Sequence, residues 1–201
     1  MNRATLIALG VLVTVFTSLL GLVLLPNWQY RSLAAYKDDA GETWPSAPFG
    51  EAVTGRAVYI DLGCVYCHSQ QVRPEGYGAD IARGWGMRRT VARDYIHDSP
   101  PLLGTMRTGP DLANIGARQP SREWHLLHLY DPAITSPGST MPRYPFLFSV
   151  IRNGGSAPPG AVRLPAERFP EPAWVVPTLR GAQLAGYLRS LNHNYELPEA
   201  R

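Results

Sequence analysis

The sequence predicts a mainly α fold in which one N-terminal transmembrane helix precedes a small, loop-rich helical domain. Three observations predict it: an apolar run over residues 4–25, a final amphipathic segment with helical spacing, and a content of 19 Pro and 19 Gly in 201 residues. Proline and glycine at this level break helices into short pieces. We therefore expect a membrane anchor over residues 1–30, a tether over 31–49 and a folded domain over 50–201.

The anchor is predicted from residues 4–25, in which only Gly, Thr and Ser interrupt the apolar residues. At about 1.5 Å per residue such a helix reaches roughly 33 Å, which is enough to cross a bilayer core. Trp28 and Tyr30 then fall where aromatic side chains settle at the membrane boundary. A cleaved signal peptide is the alternative, but it would normally have a shorter apolar core of about 7 to 15 residues and a small-x-small cleavage site. An uncleaved anchor is favoured.

The folded domain is expected to begin with a helix over residues 51–62. Val58 and Tyr59 lie three and four residues after Gly55, so that one helical face carries a glycine and then a bulky pair. A closing helix is predicted behind a capping Thr178, because apolar residues follow it at i, i+3, i+4 and i+7. These residues are Leu184, Tyr187, Leu188 and Leu191. The two helices should cross near Gly55, where the missing side chain lets two backbones approach.

One motif organises the domain, and it reads Cys64-Val65-Tyr66-Cys67-His68. In this spacing each thiol forms a thioether to a haem vinyl group, and the histidine supplies an axial ligand to the iron. These are the only two cysteines. A structural zinc site would need further Cys or His partners, and a thioredoxin-like redox pair would need a βαβ context. The motif therefore predicts one covalently attached haem c, with His68 as a metal ligand.

The charge balance agrees with a haem and argues against nucleic acid. Charged residues make up 17% of the chain and the formal net charge is +3, and no basic stripe with interleaved aromatic residues is present. Lys37 is the only lysine, so that nearly all the positive charge is arginine. The planar guanidinium fork suits the two haem propionates, because it bonds a carboxylate through two N–H groups.

Two later loops suit the surroundings of such a haem. In the Gly109-Pro110 turn, the proline carbonyl can accept the N–H of the histidine's non-ligating nitrogen, which fixes the ring. Met141 stands in a proline-stiffened loop and can offer its sulfur to the iron. The other candidates for the sixth ligand are Met87, in a Gly/Arg stretch, and Met106, two residues before Thr108-Gly109. Met141 is favoured.

A short helix is expected between a capping Ser121 and Asp131-Pro132. The residues that share one of its faces are Trp124, Leu127 and His128. His125 and His128 could in principle bind a metal from one helical turn, but no third ligand at a matched spacing accompanies them. Packing and surface roles are therefore favoured for both histidines.

Two segments carry no clear chemistry. Residues 69–107 contain six arginines against four acidic residues, and glycines break any helical run. An insertion that wraps over the haem or faces a partner is one interpretation, and a solvated loop is the other. Residues 152–177 form a second Pro/Gly-rich stretch, which we expect to be a loop.

Taken together, these motifs resemble a class I cytochrome c. The motifs are Cys64-x-x-Cys67-His68, Gly109-Pro110-x-Leu112 with Arg118, Met141-Pro142, and the closing helix. More narrowly, the chain resembles the mono-haem subunit II of cbb3-type cytochrome c oxidases, the FixO/CcoO family. The motifs that carry this likeness, in family order, are Cys67-His68-Ser69-Gln70 with Arg73-Pro74, Arg107-Thr108-Gly109-Pro110-Asp111-Leu112, Trp124-His125 with His128-Leu129, and Met141-Pro142-Arg143-Tyr144-Pro145. Residues 76–93 and 152–177 depart from the family pattern.

The resemblance implies a class I cytochrome c domain with loop insertions, anchored by one transmembrane helix. It implies a relay that passes electrons from a donor cytochrome c to the haem–copper catalytic subunit of the oxidase, with His68 and Met141 as iron ligands and Pro110, Leu112 and Arg118 beside the haem. The chain itself would have no active site. In bacteria this haem attachment takes place outside the cytoplasm, so we expect a single-pass inner-membrane protein with a cytoplasmic N-terminus and a periplasmic haem domain.

Two alternatives to an oxidase subunit stay open at this stage. One is a self-standing, membrane-anchored electron carrier, and the other is the cytochrome subunit of a nitric oxide reductase. A neighbouring many-helix subunit with metal-binding histidines would support an integral subunit, and its type would separate oxygen reduction from nitric oxide reduction.

Overall fold

The computed structural model describes residues 2–152 and 156–200, and the chain is mainly helical, as predicted. It divides into two compact units, residues 1–44 and residues 45–201. The first unit contains the N-terminal helix and a short hairpin. The second contains all the residues for which a site was predicted.

The N-terminal helix confirms the predicted apolar span. Helix α1 (Arg3–Leu19) continues through a π-helical turn (Leu20–Leu24) into α2 (Leu25–Tyr30). The widened turn lies directly before Pro26, which has no N–H to donate to the preceding turn. Together these 28 residues are long and apolar enough to cross a membrane, and none of the window is buried within the protein. This helix is a candidate membrane anchor.

The stretch after the anchor holds a two-stranded hairpin, although the sequence showed only a tether over 31–49. Strand β1 (Tyr36–Lys37) pairs antiparallel with β2 (Thr43–Trp44). The Asp38 carboxylate closes the turn, because it accepts the Trp44 indole N–H at 2.8 Å and the Glu42 backbone N–H at 2.9 Å. Strands of two residues are too short to show a hydrophobic period, which is why the sequence pattern missed them.

Two crossing helices form the centre of the second unit, as predicted. Helix α3 (Glu51–Asp61) packs against α7 (Leu179–Ser190). A Cβ added at Gly55 would lie 1.9 Å from the Gln183 carbonyl oxygen, so only glycine permits this crossing. One turn further on, the rings of Tyr59 and Tyr187 contact each other in a tilted arrangement, with 5.4 Å between their centroids.

Short helices connect this centre to the cavity described below. Helix α4 (Ile115–Arg118) precedes α5 (Arg122–Tyr130) and α6 (Pro132–Thr135). Ser121 caps α5 by accepting the Trp124 N–H at 3.2 Å, and Asp131 ends α5 and caps α6. These boundaries agree with those read from the sequence.

A small antiparallel sheet corrects the expectation of a loop over residues 152–177. Its strands are β3 (Phe148–Ile151), β4 (Val162–Arg163) and β5 (Trp174–Pro177), in the order β3-β5-β4. Val162 and Val175 pair across β4 and β5 and are buried. The prolines around these strands hid them, since each strand is only two to four residues long. Residues 153–155 of the predicted loop lie outside the described residues.

The segment over residues 69–107 folds against the C-terminal residues rather than lying in solvent. Arg88 donates to the Tyr195 carbonyl at 2.8 Å and pairs with the Asp94 carboxylate at 2.9 Å, while the Tyr195 hydroxyl donates to the same carboxylate. Arg73 and Arg107 bind the Asp80 carboxylate and, although burial opposes them, lower its pKa to about 2. The solvated-loop interpretation is therefore wrong for the part of the segment that carries these pairs.

Candidate haem-binding site

A cavity of about 570 Å³ lies within the second unit, between the Cys64–His68 motif, the Gly109-Pro110 turn, α5 and the Met141 loop. All seven residues predicted to bind the cofactor line it: Cys64, Cys67, His68, Pro110, Leu112, Arg118 and Met141. None of the described residues between 69 and 107 does. The insertion therefore does not form a wall of this cavity.

The cysteine motif begins with a tight turn. Gly63 adopts a left-handed conformation with φ of 71°, after which Cys64–Tyr66 form one 3-10 turn. The backbone N–H groups of Cys67 and His68 both donate to the Cys64 carbonyl, at 3.2 and 3.0 Å. Cys64 is half-buried and Cys67 is exposed, and burial raises the pKa of the Cys64 thiol to about 11. The turn thus presents both sulfur atoms and the imidazole at one edge of the cavity.

The His68 ring is held by the Gly109-Pro110 turn. Its Nδ1 lies 2.7 Å from the Pro110 carbonyl oxygen, and since a carbonyl can only accept, the proton is on Nδ1 and the lone pair is on Nε2. Burial lowers the pKa of His68 despite this hydrogen bond. A Cβ added at Gly109 would lie 2.2 Å from the His68 Cε1 atom. The ring is therefore neutral, fixed in one tautomer and closely packed, as an iron ligand needs to be.

Met141 is the one methionine among those described that lines the cavity. It is half-buried against the hydrophobic core, and its N–H donates to the Ser139 hydroxyl at 3.2 Å. Met87 is 77% exposed and Met106 is 56% exposed, and both lie away from the cavity wall. The structure thus brings Met141, and neither alternative, to the same cavity as His68.

Arg118 gives the clearest indication of the charge that the cavity accommodates. One of its Nη atoms donates to the Asp111 carbonyl, but its Nε is buried without a hydrogen-bond partner among the described residues. A buried N–H of a charged group without an acceptor is unfavourable. An anionic group in the cavity would satisfy it, and the propionates of a haem are such groups.

The rest of the wall is mostly apolar. Leu112, Ile115, Leu129 and Leu188 line the cavity and are each at least 92% buried. A flat, apolar ring system with acidic substituents fits this combination of aliphatic side chains and one incompletely bonded arginine. The residues present therefore fit a haem.

Three residues of α5 with aromatic rings belong to the wall but were absent from the predicted site: Trp124, His125 and His128. The Trp124 and His128 rings stack at 4.6 Å between centroids, and both line the cavity. Their i, i+4 spacing places them on one helical face, and that spacing was the available signal. His128 Nδ1 bonds the Thr135 hydroxyl at 2.6 Å.

His125, the first histidine of α5, lines the cavity too and has a packing role, as the sequence favoured. His125 is 2% exposed and its Nε2 donates to the Gln119 carbonyl at 2.8 Å. Burial lowers its pKa to about 4. Among the described residues no group of three side chains is arranged to hold a metal ion without a cofactor.

A comparison with protein families gives one match. Residues 3–157 match the model of a family described as cytochrome c oxidase, mono-haem subunit/FixO. The match covers well over half of the chain and includes the apolar helix, the cysteine motif, the Gly109-Pro110 turn and the Met141 loop. No curated protein matches the chain.

Proposed function

The chain belongs to the FixO family of mono-haem cytochrome c oxidase subunits, and we propose that it relays single electrons to the haem–copper catalytic subunit of a cbb3-type oxidase. The proposal includes one covalently bound haem c, a donor cytochrome c that reduces this haem, and association with the remaining oxidase subunits. The observation that carries it is the convergence of seven predicted cofactor residues on one apolar cavity.

Each residue has a distinct role in holding the haem. Cys64 and Cys67 would form the two thioether bonds, and His68 Nε2 and the Met141 sulfur would be the two ligands that the chain supplies to the iron. Arg118 would bind a propionate through its free Nε–H. When bound, the haem supplies one-electron oxidation and reduction at its iron.

The protein's contribution is orientation and exclusion of competing ligands. Pro110 holds the His68 proton on Nδ1, so that Nε2 keeps a lone pair that would be available to the iron. Met141, held in a short proline-rich loop, would supply the second ligand. If His68 and Met141 both bind the iron, the haem would transfer electrons without binding oxygen, and oxygen reduction would fall to the partner subunit.

The apolar helix has a physical purpose in this proposal. Anchoring the chain in the inner membrane beside its electron acceptor replaces a diffusional encounter by a high effective concentration. We propose a single-pass topology with the N-terminus in the cytoplasm and the haem domain in the periplasm. Protease added to intact spheroplasts should then digest the haem domain, whereas a high-salt or alkaline wash should leave the chain in the membrane. Release of the full-length chain without detergent would contradict an anchor.

The deciding experiment is purification in mild detergent through a C-terminal affinity tag. We expect a haem–copper subunit and oxygen-reducing activity to copurify with the chain. A Cys64→Ala/Cys67→Ala variant provides the matched control, since its preparation should lack this chain's haem. Recovery of a monomer that exchanges electrons freely with soluble cytochromes would instead indicate a self-standing carrier, and a copurified subunit that reduces nitric oxide would indicate a nitric oxide reductase.

A further inference from the structure

The backbone around His68 is joined to the turn that holds its ring by two hydrogen bonds. The Gly109 N–H donates to the Cys67 carbonyl at 2.9 Å, and the Leu112 N–H donates to the Ser69 carbonyl at 2.8 Å. Residues 67–69 and 109–112 therefore run beside each other. We therefore expect a displacement of one segment relative to the other to change the orientation of the His68 ring.

Asp111 belongs to the second of these segments, and its fully buried side chain bonds residues in and next to the first. Its Oδ2 accepts the Ser69 hydroxyl at 2.6 Å and the Gln71 backbone N–H at 2.7 Å, while its Oδ1 accepts the Ala113 N–H at 2.9 Å. Among the described residues, the nearest cationic side chain to this carboxylate is that of Arg107, whose Nη2 lies 3.7 Å from Asp111 Oδ2. A buried carboxylate bonded on both oxygens by the chain itself fixes the positions of all its donors.

We propose that Asp111 is a positioning residue for the haem, acting through both His68 and Arg118; this inference rests on the proposed function. The Pro110 carbonyl accepts the His68 Nδ1–H, and the carbonyl of the next residue, Asp111, accepts the Arg118 guanidinium. One dipeptide thus orients the axial ligand and the propionate-binding cation. The Asp111 carboxylate locks that dipeptide to Ser69 and Gln71, directly after the ligand.

The two oxygens of a carboxylate are both needed for this arrangement. An asparagine has one acceptor oxygen, so that in an Asp111→Asn variant either Ala113 or the Ser69 and Gln71 pair faces an amide N–H instead of an acceptor. The result is at least one buried N–H or O–H without a partner. The dipeptide should shift, which lengthens the bond between Pro110 and His68.

Two effects of the asparagine act on the iron in the same direction. A weaker hydrogen bond from Nδ1 makes the imidazole a poorer electron donor, and removal of a buried negative charge makes the ferric state less favourable. Both raise the midpoint potential. Asp111→Asn should therefore shift the potential upward and change the EPR g-values of the ferric haem, which report the orientation and strength of the axial ligands.

Asp94 offers the matched control. It is also a buried carboxylate, and its hydrogen bonds come from Arg88, Val91 and Tyr195, outside both segments described above. Asp94→Asn should lower the thermal unfolding temperature but leave the potential and the g-values at the wild-type values. If Asp111→Asn behaved in the same way as Asp94→Asn, Asp111 would have only a folding role and the inference would be wrong.

A third variant separates position from charge. Ser69→Ala removes one hydrogen bond of Asp111 and keeps its charge, so that it should give a smaller change of the g-values and a smaller upward shift of the potential. If the Asp111→Asn protein fails to accumulate, the Ser69→Ala variant alone tests the positioning role. Unchanged g-values in Ser69→Ala would overturn the positioning role.

The measurements use the full-length chain purified in detergent, and wild-type protein is first tested for covalent haem. Absence of covalent haem from wild-type protein would overturn the proposed function and the inference with it. Covalent haem in wild-type protein, with the same g-values in the Asp111 variant, would overturn the inference alone.

Discussion

Gly109→Ala is the substitution for which the structure gives the most definite expectation. The added Cβ would lie 2.2 Å from His68 Cε1, 2.7 Å from Nδ1 and 2.8 Å from Nε2, whereas ordinary contact begins at 3.4 Å. The ring or the turn must therefore move by more than 1 Å. Overpacking of this kind costs about 1–3 kcal/mol of unfolding free energy, and here the displaced group is the predicted iron ligand.

The assay compares haem content, visible spectrum and thermal unfolding in the full-length protein. Gly109→Ala should carry less covalent haem, lose the sulfur-to-iron charge-transfer band and unfold at a lower temperature. Gly10→Ala is the control, since a Cβ at Gly10 meets nothing within 4 Å. Wild-type haem content, spectrum and unfolding temperature in Gly109→Ala would refute the packing of His68 against this turn.

Three further predictions concern the ligands and the pH dependence of stability. Cys64→Ala/Cys67→Ala should leave no haem on the chain after extraction with acid acetone, and haem retained by this variant would contradict thioether attachment. Met141→His should lower the midpoint potential and abolish the charge-transfer band, while the exposed Met87→His should change neither; an unchanged spectrum in Met141→His would rule out that ligand. Burial lowers the pKa of His125 to about 4 in the folded chain, so that its neutral form stabilises the fold above the unfolded pKa, and the unfolding free energy should fall by up to about 3 kcal/mol as the pH falls from about 6.5 towards 4. Denaturant titrations at several pH values across this range should show that fall. If the unfolding free energy of a His125→Leu variant changed with pH as steeply as that of the wild-type protein, the effect could not be assigned to His125.

The parts of the candidate site that are formed by short, local motifs could be predicted from the sequence. The Cys64-x-x-Cys67-His68 spacing specifies its chemistry locally, and the Gly109-Pro110 turn supplies a carbonyl whose partner can be named without coordinates. The closing helix was predictable because twelve residues with a helical period leave a clear pattern. As the candidate ligand, Met141 could be preferred to Met87 because only Met141 lies in a proline-stiffened loop.

The remaining features depend on contacts between distant residues, which no local pattern records. The fully buried Asp111 carboxylate is bound by residues 40 and 42 positions earlier, and Asp94 is bound by Tyr195, 101 positions later. The free Nε of Arg118 is visible only once its surroundings are placed. Strand β4 has two residues and follows a Pro/Gly-rich stretch, so that neither period nor composition could indicate it.

Rapid mixing of the fully reduced, copurified complex with oxygen tests the relay most directly. The absorption band of this chain's c-type haem should disappear within the first turnover of the catalytic subunit, and the isolated full-length chain should stay reduced over the same interval. Oxidation by oxygen at the same rate in the isolated chain would contradict the account, because electron transfer to oxygen would then not need the catalytic subunit.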